Sequence, residues 1–180
     1  MARTKRKAIT LPSTGHTYDD LKAIEASTPR SEENPTSLPL DRIFVADDVF
    51  QPREGLEDYH VKNLAAAVRE GERPLDRLLV VPIGDRHFVV DGHHRLAAYI
   101  TAEWSKDIPV QVFDGDLDAA EVASIGSNSK DKLAVPKSRK LEQAWRLVLR
   151  GVHSIAVIAN NAMVAPRAVS YMRARLIELG

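Results

Sequence analysis

The 180-residue chain contains no cysteine. Disulfides, thiolate metal sites and cysteine-nucleophile mechanisms are excluded together. It also lacks any run approaching the roughly 18 consecutive apolar residues that a membrane-spanning helix needs. The basic start, Met1-Ala2-Arg3-Thr4-Lys5-Arg6-Lys7, is not followed by the apolar stretch of a secretory signal. Net charge is missing too, 25 Lys+Arg standing against 25 Asp+Glu. These absences lead to the expectation of a cytoplasmic protein with no membrane partner. What remains is an ordinary globular balance, 44% hydrophobic and 28% charged. The length suits one large or two small domains.

The zero net charge conceals an uneven distribution. Residues 1–36 carry six basic against five acidic residues, and residues 37–129 carry nine against 17, net −8. Residues 130–180 carry ten against three, net +7. A basic third beside an acidic middle is what a separate anion-binding module produces.

Residues 1–36 read as a flexible tail, rich in Thr, Ser, Pro and Glu from Ser27 to Ser37, with room for a short helix around Tyr18–Ala26. From Leu38 the texture changes. Asp41–Val45 reads as a strand and Gln51-Pro52-Arg53 as an extended turn, because proline pushes the residue before it out of the helical region. Val61, Leu64, Ala65 and Val68 form one face of a helix that Gly71 ends. Leu78–Ile83 reads as a buried strand, Gly84-Asp85 as a turn and His87–Val90 as the return strand. A helix from His94 to Glu103 and a strand Ile108–Phe113 complete an α+β unit, the Pro109 of that strand marking its start or a sheet edge.

After Asp118 the strands stop. Helices are expected over Ala119–Ser127 and Ser138–Arg150, the second with Leu141, Ala144, Trp145, Val148 and Leu149 on one face and Gly151 behind it. Ser154 sits where an N-cap belongs, before Ile155–Ala159, and Pro166 opens Arg167–Leu179. Two helices joined by a tight turn at about 153–178, the second rich in arginine, have the layout of a helix-turn-helix. Ile155, Ala156, Ala159, Val164, Val169 and Met172 are spaced as its packing positions, Ala156 standing where helices approach closely; any three-helix core shows a similar pattern. Arg167, Ser170 and Arg173 on the second helix could reach base edges or phosphates, and Lys137 and Lys140 the backbone. Trp145 and Tyr171 read as core residues.

The sharpest local signal is Asp91-Gly92-His93-His94-Arg95. A glycine between strand and helix, free N–H groups at the helix start and a guanidinium one turn in make a cradle for phosphate. Asp91, His93 and His94 add a carboxylate and two imidazoles at the same lip, with Asp91 a candidate for proton transfer. The competing reading is a simple turn with histidines at the surface. No metal site is expected, since adjacent histidines cannot both face one ion and spacing fixes no third ligand.

Residues 38–115 resemble the ParB/sulfiredoxin superfamily. Gln51-Pro52-Arg53, the helix ending at Gly71, Pro74 before Leu78–Pro82, and Gly92-x-x-Arg95-x-x-Ala98 follow the order of the ParB motifs. The later helices resemble the DNA-binding region of ParB-like proteins, with Asn128 where the next family segment begins. The resemblance implies an α+β ParB/sulfiredoxin-like nucleotide-pocket domain at 37–118. An all-α domain with a helix-turn-helix follows at 119–180. It implies a triphosphate such as CTP, with Mg²⁺, held by Gln51, Arg53, Gly92, His93, His94, Arg95 and Asn128. It further implies double-stranded DNA as partner, a homodimer on that DNA, and a partition ATPase. The work would be partition or transcriptional control on a plasmid, phage or chromosome. Two departures stand out. The box reads Gly92-His93-His94-Arg95 where ParB usually has Gly-Glu-Arg-Arg, and of the later Glu-Asn-x-x-Arg motif only Asn128 is kept. With no cysteine at His93, sulfiredoxin activity is excluded. The alternative is a nucleotide-dependent enzyme: a weak CTPase or other NTPase, a small-molecule phosphotransferase using Asp91, or a nuclease.

Overall fold

The computed structural model describes residues 11, 13–50, 56, 58–71, 73–130 and 135–179, the side chains of 128–130 excepted. Gln51-Pro52-Arg53, expected as an extended turn and as nucleotide contacts, lies outside the described residues.

A five-stranded mixed sheet, in the order β1-β5-β3-β4-β2, organises the first two thirds of the chain. Its strands are β1 (Ser37–Leu38), β2 (Ile43–Phe44), β3 (Leu78–Ile83), β4 (Arg86–Asp91) and β5 (Ile108–Val112). The β3–β4 hairpin is closed by two residues, with Gly84 first at φ +60°. A two-residue turn of this hand gives its first position to glycine, which has no Cβ to clash. β5 runs parallel to β3 and antiparallel to the short β1, so Pro109 stands at a strand start, not on the outer edge.

Helices cover both faces of the sheet. α3 (Asp58–Gly71) and α4 (His93–Thr101) bury Val61, Ala65, Val68, Leu96 and Tyr99 against Leu78, Val80, Val89 and Val110. On the opposite face α1 (Tyr18–Ser27), α2 (Asp47–Phe50) and the start of α5 (Leu117–Lys130) bury Leu21, Val49, Phe50 and Leu117 against Val81, Ile83, Phe88 and Val90. Burying β-branched residues on both faces explains the near-continuous apolar runs of β3 and β4.

The expected tail is corrected here. Within residues 1–36, α1 is held by a capping box in which Thr17 and Asp20 bind each other's backbone N–H, and its Leu21 is fully buried. The N–H of Thr14 also donates to the carbonyl of Val45 at 2.8 Å. Leu21, with Tyr18 and Ile24 packed beside it, carries the apolar face, too few residues for a visible period.

The helical region comprises the end of α5, α6 (Lys137–Arg150), α7 (Ile155–Ala162) and α8 (Pro166–Leu179). They enclose a second core of Ile125, Ala144, Leu147, Val148, Ile158, Ala159, Ala162 and Val169. α5 belongs to both cores, so the boundary expected at 118/119 falls inside a helix. Ser154 caps α7 by accepting from the N–H of Val157, and Gly151 ends α6 at φ +74°. Met163, also at positive φ (53°), turns the chain from α7 towards α8. Three packing expectations are corrected. Ala156 is exposed, with Ala159 and Ala162 taking the close-approach role, and Leu149 and Tyr171 are 53% and 68% exposed. Trp145 is partly buried against the helical core.

Candidate functional site

The first candidate site lies where β4 passes into α4. A bulge at Val90 separates the register Val80↔Val89 from Leu79↔Asp91. Such an extra residue re-aims the strand end, here Asp91. Gly92 follows at φ +104°. A Cβ there would come within 2.7 Å of Leu78 Cδ2 and 3.1 Å of Arg95 Nη2, so both backbone and space demand glycine. The Arg95 guanidinium therefore lies folded against Gly92. It donates to Asp91 Oδ2 at 2.8 Å and to the carbonyl of Arg77.

The structure brings together Asp91, Gly92, His93, His94 and Arg95, but not as a row along a lip. His93 is turned inward, 7% exposed, with Nε2 buried and without a hydrogen-bond partner. Burial, helped by the neighbouring charges of His94 and Arg95, pushes its pKa down to about 4. The expectation of two imidazoles at the lip of the cradle is corrected for this one, and so is the competing reading of both at the surface. His94 is half-buried and meets His60 of α3 edge to face, ring centroids 5.4 Å apart. The backbone of Asn128 closes the last turn of α5; its side chain, like Gln51 and Arg53, lies outside the described residues. Among the described residues, no three of His, Asp and Glu are grouped to hold a metal ion.

The second candidate site is on the helical region. Lys137, Lys140 and Arg167 border one cleft of about 500 Å³, floored by Leu141, Met163 and Val164. α6 and α8 both begin at this cleft, and neither has an acidic residue in its first turn. The positive ends of two helix dipoles and three cations thus face the same space. The hydroxyl of Ser170 donates back to the carbonyl of Pro166 at 3.2 Å. Arg173 is half-buried, and its guanidinium donates to the carbonyl of His153. Arg175 pairs with Glu178 at 2.6 Å.

Sequence reading missed the polar joint between the two regions. Glu121 of α5 has no exposed surface, and Arg146 and Arg150 of α6 each reach its carboxylate at 3.2 Å. The Arg150 guanidinium also lies 3.7 Å from the centroid of the Tyr18 ring. Tyr18 in turn donates to Asp118, which Lys22 bridges at 2.8 Å. Burial, reinforced by the Asp118 carboxylate, raises the Tyr18 pKa. Two arginines four apart were the one local signal; their partner is far away in sequence.

No helix among the described residues is long and apolar enough to cross a membrane. Among curated proteins none matches the chain. Two solved structures of the C-terminally truncated chromosome-partitioning protein ParB from Caulobacter crescentus are similar to it. The one complexed with CTP-gamma-S is 21% identical over 78% of this chain and 77% of that one, with a TM-score of 0.46. The one complexed to the centromeric parS site is 19% identical over 77% and 70%, with a TM-score of 0.48. The sequence model of the ParB N-terminal domain matches residues 25–129, from inside α1 to the last turn of α5. This covers the whole sheet and the glycine–arginine box, and the chain belongs to that family.

Proposed function

We propose that this chain is a ParB-like DNA-binding protein that serves partition or transcriptional control on a plasmid, phage or chromosome. Its box at the start of α4 responds to a nucleoside triphosphate, CTP or a relative, carried with Mg²⁺. Double-stranded DNA is held at the cleft bordered by Lys137, Lys140 and Arg167. Two copies act together on the DNA, which associates the protein with the nucleoid or a plasmid, and a partition ATPase is its further partner. The observation that carries this reading is the shared cleft: three cations and two helix N-termini converge in a chain whose preceding domain is of the ParB family. The cations supply the sequence-independent attraction to phosphate, and the exposed start of α8 supplies side chains for base edges.

The test is fluorescence anisotropy on a duplex selected for binding and on a scrambled one, each with and without CTP, ATP or GTP. We expect tighter binding to the selected duplex and a change in that binding with one of the nucleotides. Equal affinity for both duplexes in every condition would overturn the reading.

A further inference from the structure

The box at the start of α4 holds its own anion. Arg95 is the guanidinium on which a phosphate would be caught, yet Asp91 already occupies it at 2.8 Å. The pair is half-shielded, the two side chains being 23% and 34% exposed. The Arg77 carbonyl takes a second Arg95 donor, and Gly92, lacking a Cβ, leaves the guanidinium room beside the backbone between strand and helix. The first turn of α4 itself contains no acidic residue, and no side chain caps Gly92. Asp91 is therefore the carboxylate that neutralises this helix start and its arginine.

We infer that Asp91 is a built-in competitor, standing in for the ligand's phosphate on Arg95 and setting which anions can enter. This rests on the box being an anion pocket. A phosphate oxygen taking the Arg95 Nη2 that Asp91 holds must displace the carboxylate and then lie beside it, and two like charges so close disfavour each other. A weakly charged anion gains too little to do this. A polyphosphate arriving with a divalent cation brings the positive charge that quiets the displaced carboxylate. Asp91 thereby makes entry selective for metal-chelated polyphosphate over free anions.

The experiment is isothermal titration of the full chain with inorganic tripolyphosphate and with CTP, each in EDTA and in Mg²⁺, for wild type, Asp91→Asn and Arg95→Ala. Losing a charge-assisted contact that competes with the ligand gives an expected gain of about tenfold for Asp91→Asn in EDTA. The gain shrinks in Mg²⁺, where the wild type no longer suffers the repulsion. Unchanged or weaker binding of Asp91→Asn in EDTA overturns the inference, and so does its failure to bind at all. If Asp91→Asn behaves as wild type while Arg95→Ala loses binding, the pocket stands and the competitor falls. If all three bind alike, the anion sits elsewhere and the pocket falls with it. Should circular dichroism show Asp91→Asn unfolded, Asp91→Ser carries the same comparison.

Discussion

His93 begins α4 with its imidazole walled in and Nε2 without a hydrogen-bond partner, a state that only the neutral ring tolerates. Its pKa of about 4 in the fold lies below the ordinary 6.5, which the unfolded chain regains. Above pH 6.5 neither state holds the proton and His93 has no effect on stability. As pH falls from 6.5 towards 4 the unfolded state takes up the proton first, so stability drops across that window and levels off below it. The shift corresponds to about 3 kcal/mol at most. Urea unfolding at pH 7 and pH 4.5 should show this loss in wild type, and His93→Gln should lose much less between the same two points. An equal loss in both proteins would assign the pH dependence to other groups, such as the buried His87, whose pKa burial also lowers.

At the scale of elements, α5 is the piece that ties the sheet to the helical region, and Glu121 is its buried charge. Removing it leaves Arg146 and Arg150 facing an apolar joint without a counter-charge. Breaking a buried pair from one side costs about 3–5 kcal/mol, and the lower end applies because the two arginine side chains as wholes keep 25% and 20% of their surface in water, although Arg146 Nε and Nη2 are buried. Glu121→Ala should therefore lower the unfolding free energy by about 3 kcal/mol in urea titrations, and Glu121→Gln by less, since an amide still accepts hydrogen bonds. If the alanine variant is as stable as wild type, the triad is ornament. The triad also shows where sequence reading stops. The β3–β4 hairpin and α3 were legible because alternation, glycine punctuation and a 3.6-residue period are written within 15 residues or so. The box was legible as a turn with an arginine. The i,i+4 spacing of Asp91 and Arg95 was written in the sequence too, but the inward turn of His93 was not, since only the packing around the start of α4 decides which imidazole is buried. α2, four residues long, and β1, two residues long, are too short to show a period. Ile155 and Ala159 do pack on the helical core, but Ala156 falls outside the stripe that α7 presents through Ile158, Ala159 and Ala162.

The whole molecule sets an acidic sheet domain beside a basic helical one, and DNA binding should bear the mark of that division. The net +7 of residues 130–180 predicts strong salt dependence, log K falling by about 0.9 per neutralised phosphate for each log unit of salt. Lys140 and Arg167 border the same cleft, but their positions differ. Lys140 is the fourth residue of α6 and half-buried, whereas Arg167 is the second residue of α8 and exposed. A flexible ammonium at the cleft wall neutralises a phosphate whatever the sequence; a guanidinium at the exposed start of a helix can bind two acceptors of a guanine edge at once. Lys140→Ala should weaken the selected and the scrambled duplex about equally and reduce the salt slope by about one. Arg167→Ala should cost about 1–3 kcal/mol on the selected duplex and clearly less on the scrambled one. Anisotropy titrations at four or so salt concentrations measure both the affinities and the slopes. Equal losses on the two duplexes for Arg167→Ala, with a slope change like that of Lys140→Ala, would make the cleft a phosphate-binding surface on which α8 reads no sequence.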